Sequence, residues 1–126
     1  MFEEVFTHFD AARRDGICTL RVTTPQIRHP EPAEVFKTEA LEAVDKEPPR
    51  ALIVDFAHVN YLGSSMFAAL ISLRGEMERR GVLYAICALH PDVELASNIV
   101  GLPRLIATYD DVHAARDAVL KALEPR

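Results

Sequence analysis

The sequence predicts an α/β domain with a largely parallel sheet, and three observations carry that prediction. Ala51 to Val54 is an unbroken apolar run, as expected of a strand buried on both faces. A helix-period stripe follows it, in which Met66, Leu70, Leu73 and Met77 fall on one side. A second apolar run, Val82 to Leu89, comes directly after that helix. Strand, helix and strand in that order form the unit from which parallel sheets are built.

Residues 4 to 12 and 17 to 24 read as two strands of an N-terminal hairpin, joined at Arg14, Asp15 and Gly16. An Asp-Gly pair between two such runs is a strong hairpin signal. Pro25 to Pro32 holds three of the eight prolines, which predicts irregular chain with a short extended piece at Gln26 to Arg28. Pro32 suits the first turn of a helix whose face is Phe36, Ala40 and Val44, flanked by Val35 and Leu41. Lys46 and the Pro48-Pro49 pair end it, and Arg50 opens the central strand.

Asp55 to Leu62 alternates polar and apolar residues, and Gly63, Ser64 and Ser65 lead into the helix that starts at Met66. Phe67, Ala69 and Ile71 widen its apolar stripe, Glu76 and Arg80 form a favourable i,i+4 pair, and Gly81 ends it. Pro91 and Gly101 bracket a short helix; Leu102 to Tyr109 reads as a turn and a short strand. Asp110 is expected to cap a last helix with Val112, Ala115, Val119 and Leu123 on its apolar face. No repeat or linker interrupts residues 1–126, so one domain is expected.

With 49% hydrophobic and 26% charged residues, the 126-residue chain can bury a real core. It has no apolar run of membrane-spanning length and no signal-peptide pattern, so a soluble, cytoplasmic protein is expected. A net charge of −5 argues against nucleic acid or an anionic membrane as partner. Cys18 and Cys87 lie in strand-like apolar runs and read as small core residues.

Candidate chemistry is sparse. His8, His29, His58, His90 and His113 are scattered, none at helical spacing from another ligand, so no metal site is expected. There is no nucleophile elbow and no phosphate loop, and no cofactor is implied. Asp55 ends a buried strand and reads equally well as a site residue or as a bond to backbone in the loop after it. An enzyme is therefore not expected; convergence of His58, Asp55 and Ser64 would be its signature. Ser64 and Ser65 stand where a helix N-terminus favours negative charge. The simplest role for one of them is to cap the helix through its hydroxyl.

From about Arg50 to Leu123 the chain resembles the STAS domain, the module of anti-sigma-factor antagonists and of sulphate-transporter tails. The matching motifs are Leu52-Ile-Val-Asp55, His58-Val-Asn-Tyr-Leu62, Gly63-Ser-Ser-Met-Phe67, Gly81, Val82 to Leu89, Gly101-Leu-Pro-Arg-Leu105 and Asp110-Asp-Val-His-Ala-Ala115. The first fifty residues match by pattern only. The resemblance implies a mixed sheet of four to five strands with an N-terminal hairpin and helices mainly on one face. It implies a bacterial, non-enzymatic regulator of transcription that binds an anti-sigma factor with serine-kinase activity and works by partner switching.

By position, Ser64 corresponds to the serine that such a kinase phosphorylates, with Gly63, Ser65, Met66, Phe67 and Arg28 as candidate partner-binding residues. Two departures stand out: Gly63 replaces the family's Asp, and Met66 replaces the Gly after the serine pair. A family acidic residue after the early strand is replaced by the neighbourhood of Ile27, Arg28 and His29, which makes this surface more attractive to an anion. Alternative roles are a non-phosphorylated scaffold subunit, in a stressosome-like or lipid-transport assembly, and a nucleotide- or anion-binding module. The partner's identity and the oligomeric state are not encoded in any motif.

Overall fold

The computed structural model describes residues 3–125. Four helices and eight strands follow one another along it. The N-terminal segment is Glu4–Val5 (β1), Phe9–Arg14 (β2) and Ile17–Val22 (β3), an antiparallel meander rather than one long hairpin. The expected strand 4–12 is broken because the chain folds back at Phe6 to Phe9, where the Phe6 N–H donates to the Phe9 carbonyl at 2.8 Å. The turn between β2 and β3 sits at Asp15 and Gly16, with φ of 57° and 78°. Two consecutive left-handed residues make the two-residue turn whose twist suits a hairpin, which is why Asp-Gly marks it.

After Gln26–Ile27 (β4), helix Pro30–Lys46 (α1) starts two residues before Pro32, with a proline at its first position. Then come Ala51–Asp55 (β5), Tyr61–Leu62 (β6), Ser64–Arg80 (α2), Leu83–Cys87 (β7) and Pro91–Ile99 (α3). A turn of 3-10 helix at Leu102–Arg104, strand Ala107–Tyr109 (β8) and helix Val112–Leu123 (α4) complete the fold. Asp111, not Asp110, caps α4: its Oδ1 accepts from the Ala114 N–H at 2.8 Å. Both aspartates can cap, and the choice falls to the residue three before a free N–H.

The main sheet has six strands in the order β1-β2-β3-β5-β7-β8, parallel from β3 onwards. It exceeds the expected four to five because the expected strand 4–12 divides into two, β1 with two residues and β2 with six. A separate parallel pair, β4 with β6, holds Gln26 opposite Tyr61 and Ile27 opposite Leu62.

Every residue of β5 is buried. Leu52 and Val54 belong to the larger core, with Phe36, Ala40 and Val44 of α1 and Met66, Leu70, Leu73 and Met77 of α2. Ala51 and Ile53 face the opposite way, onto a smaller core with Ala115 and Val119 of α4. Cys18 lies in the first core and Cys87 in the second, so the sheet separates them. Burial pushes the Cys18 thiol up to about 11 and the Cys87 thiol up to about 12, so both are neutral near pH 7.

Helices α1 and α2 are clasped at their C-terminal ends. Arg80 Nε donates to Asp45 Oδ1 at 2.8 Å, and Arg80 Nη1 donates to Glu76 Oε1 at 2.8 Å. At the same end of α1, Arg13 bonds Glu4 Oε1 and the Ala43 carbonyl, tying β2 to β1 and α1.

Two predictions follow from this packing. Phe36 is wholly buried and meets the Phe9 ring edge-on, with centroids 5.5 Å apart. Phe36→Ala should cost about 3–5 kcal/mol in urea unfolding. Hydrogen bonds from Arg13 lower the Glu4 pKa, and those from Arg80 lower the pKa values of Asp45 and Glu76. Stability from a depressed carboxylate is present above its unfolded pKa and is lost as pH falls through the folded one. The urea midpoint should therefore drop as pH falls below about 4, and less steeply in Arg80→Ala.

Candidate functional site

The site is built by what happens after β5 ends. Asp55 is 3% exposed, and its Oδ1 accepts from the Ala57 N–H at 2.9 Å, while Oδ2 lies 3.8 Å from Arg21 Nε on the neighbouring strand. Of its two readings, bonding to the loop backbone is the one the structure bears out. The Val59 N–H then bonds the Phe56 carbonyl at 2.9 Å, turning the chain back towards β4. The Asn60 N–H reaches the Pro25 carbonyl at 2.9 Å, and the Gly63 N–H reaches the Ile27 carbonyl at 2.8 Å. Residues 60–63 are thus laced to residues 25–27, and the last link fixes the start of α2.

Gly63 is the N-cap residue, with φ −82° and ψ 172°, and its carbonyl accepts from the Met66 N–H at 3.0 Å. Neither serine is a cap. Ser64 and Ser65 are the first two residues of the helix itself, and among the described residues no side-chain cap bonds its free N–H groups. The helix begins before Met66 because the Ile27 carbonyl has already anchored the Gly63 backbone. The Ser64 side chain is exposed and Ser65 is half-buried. No acidic residue occupies the first turn of α2, so the positive end of the helix dipole is not neutralised.

Glycine at 63 has a steric reason. A Cβ there would lie 3.1 Å from the Arg28 carbonyl oxygen and 3.5 Å from the Ile27 oxygen. The β4–β6 pairing brings that backbone against the cap, so an aspartate could enter only if Arg28 moved by a few tenths of an ångström. Arg28 itself is exposed. Its guanidinium carbon lies 4.4 Å over the Tyr61 ring, and its Nε donates to Gln26 Oε1 at 2.9 Å. The structure therefore brings Arg28, Ser64 and Ser65 to one surface, with Gly63 buried beside them.

Met66 and Phe67 do not join them. Met66 is fully buried and Phe67 is 6% exposed, because both lie on the stripe of α2 that faces the sheet. As partner-contact residues they are corrected to core residues.

Two features of this surface were not among the candidate site residues of the sequence. Tyr61, the platform under Arg28, is 42% exposed. A groove of about 370 Å³ between α1 and α2 is lined by Ser65, Ala68 and Ser72 on one side and by Glu34 and Lys37 on the other. Its only trace in the sequence is the run of small residues at 65, 68, 69 and 72, spaced along the flank of a helix. Farther along, α3 exposes Leu95 and Ile99.

Two of the histidines serve locally: His8 Nδ1 lies 2.7 Å from Thr24 Oγ1, and His90 Nδ1 accepts from the Asp92 N–H at 3.2 Å. Among the described residues no group of three or more His, Cys, Asp or Glu side chains could hold a metal ion.

Comparison with known proteins gives this geometry a family. The STAS domain model matches residues 8–115, which includes most of the N-terminal half as well as the strand–serine–helix stretch. The chain belongs to the STAS-domain family. Among solved structures, it resembles a Thermotoga maritima protein described as an anti-sigma factor antagonist, at TM-score 0.78 and 16% identity over 89% of this chain and 94% of that one. RsbS from Moorella thermoacetica, in a serine-to-glutamate variant, aligns at TM-score 0.77 and 17% identity over 92% and 97%. The antagonist SpoIIAA in its unphosphorylated form aligns at TM-score 0.74 and 15% identity over 92% and 99%. These likenesses establish the STAS fold. No helix of the described residues is long and apolar enough to cross a membrane.

The exposed hydroxyls yield a stability prediction. Ser64→Ala and Ser65→Ala should leave urea stability within about 0.5 kcal/mol, whereas loss of a capping hydroxyl costs about 1 kcal/mol. Ser64→Glu should stabilise by about 0.3–1 kcal/mol at low salt, through the helix dipole.

Proposed function

We propose that this STAS protein is an anti-sigma-factor antagonist that binds an anti-sigma factor with serine-kinase activity, and that phosphorylation of Ser64 controls the binding. One observation carries the reading: the Ser64 hydroxyl is exposed at the first residue of α2 and is not spent as a cap. A kinase can reach such a hydroxyl without unfolding the helix. The phosphate product, of roughly −1.5 to −2 charge at neutral pH, would be stabilised by the helix N-terminus while turning a docking surface strongly anionic. That combination suits a switch, since the fold is preserved and the partner is repelled. The protein needs no catalysis of its own in this role, and a cytoplasmic location fits it. Antagonists of the same fold, SpoIIAA among them, support the assignment.

Gly63 favours a second reading. With no carboxylate before Ser64 and with Arg28 held over Tyr61, the surface is less negative than the family pattern implies. A kinase that reads that aspartate would pass over Ser64, leaving a constitutive binder or a scaffold subunit of a larger assembly.

The two readings separate in one experiment. The protein is incubated with its cognate anti-sigma kinase and ATP, and intact-mass spectra of wild type and Ser64→Ala are compared. The switch requires a single added phosphate that Ser64→Ala abolishes. Stable binding of the kinase with no phosphate transfer would establish the scaffold reading instead.

A further inference from the structure

We propose a second site, away from Ser64, that takes a small oxyanion such as a phosphate or sulfate group. It is a hollow of about 280 Å³ on the sheet face that carries α4, where that helix leaves β2 and β3 uncovered. Arg14, Arg21 and Arg116 line it together with Glu3, whereas Arg13, also at its wall, sends its guanidinium to the opposite face, where it bonds the Ala43 and Glu47 carbonyls at the end of α1. Thr19, 6% exposed, contributes a residue with a hydroxyl to the wall. On a chain of net charge −5, three arginines around one concavity form a cluster of guanidinium donors, each facing a carboxylate of the fold. Concave positive surfaces concentrate anions, and guanidinium groups suit the oxygens of phosphate and sulfate. The volume lies near the lower limit of about 300 Å³ for drug-sized ligands, so the group that fits is small.

The arginines are not idle in the hollow, and their partners within the fold show how a ligand would enter. Arg13 is held by Glu4 at 2.8 Å and serves the fold. Arg21 faces Asp55 at 3.8 Å. Arg116 and Arg14 share one carboxylate, Asp15, at 3.0 and 3.5 Å. Asp15 stands in the β2–β3 turn with its side chain 56% exposed, whereas the Arg116 side chain is 14% exposed. A single half-solvated carboxylate thus neutralises two arginines at the rim. An incoming oxyanion, with more oxygens to offer, takes its place. Asp111 already caps α4, so the attraction comes from the arginines and not from that helix end.

This arrangement makes opposite predictions for two substitutions. Asp15→Asn suits the left-handed backbone at φ 57° and removes the internal competitor. It should tighten anion binding by roughly threefold or more. Arg116→Gln removes a charge-assisted donor and should weaken binding by about tenfold. The full chain, labelled with ¹⁵N, is titrated at constant ionic strength with sodium phosphate, sodium sulfate and adenosine monophosphate, and amide shifts are followed. Saturable shifts at Ala12, Thr19 and Val112, tighter in Asp15→Asn and weaker in Arg116→Gln, are expected. Binding of all three probes assigns the site to phosphate esters as well as free anions, and binding of the inorganic ions alone assigns it to free anions. The proposal is overturned if neither wild type nor Asp15→Asn shows saturable shifts there. It is equally overturned if Asp15→Asn does not tighten binding, or if the shifts map to residues 63–66 with the hollow silent.

Discussion

A strand buried on both faces must be left by a route that satisfies its backbone, and the exit from β5 organises this molecule. Its five residues supply apolar side chains to both cores, so neither face can move without disturbing the other. At its end Asp55 bonds forward to the loop, the chain turns at Phe56 to Val59, and β6 is delivered to β4. The Gly63 N–H then bonds the Ile27 carbonyl, which decides where α2 begins and which residue heads it. The exposure of Ser64 is the outcome of that chain of bonds.

The same lacing explains the composition of the surface. Because β4 lies against the helix start, residue 63 has no room for a side chain without displacing Arg28. Because β4 also carries Arg28 to the rim, a cation stacked on Tyr61 stands near the place where the family pattern has a carboxylate. The loss of one charge and the gain of the other are two consequences of one backbone pairing. The arginine-lined hollow lies by α4 on the opposite face of the sheet, so the two surfaces can act independently.

Most of the fold was legible in the sequence, and the reasons are physical. β5, β7 and the buried stripe of α2 are encoded by long apolar runs and helical periodicity, signals that many residues share. The Asp-Gly turn was legible because few residues adopt its backbone. The short strand β8 was legible at the end of Leu102 to Tyr109, but β1 was not separable from β2, since two residues cannot display a period. Family motifs singled out Ser64 and Arg28, but local sequence could not decide whether a serine caps α2. That depended on a carbonyl at Ile27, 36 positions away from Gly63. Met66 was ambiguous for the same reason: its position three residues into the helix points it inward only once the helix start is fixed. The α1–α2 groove and the arginine hollow are made by residues from distant segments, and no single stretch carries their signature.

The most direct measurement of the account is a map of amide shifts in ¹⁵N-labelled protein on addition of its proposed partner, an anti-sigma factor with serine-kinase activity. The account predicts that perturbations concentrate at Arg28, Tyr61 and residues 63–65, extend along the α1–α2 groove, and are lost when Ser64 carries a phosphate. Perturbations centred on α4 and β8, with the Ser64 surface unaffected, would contradict it.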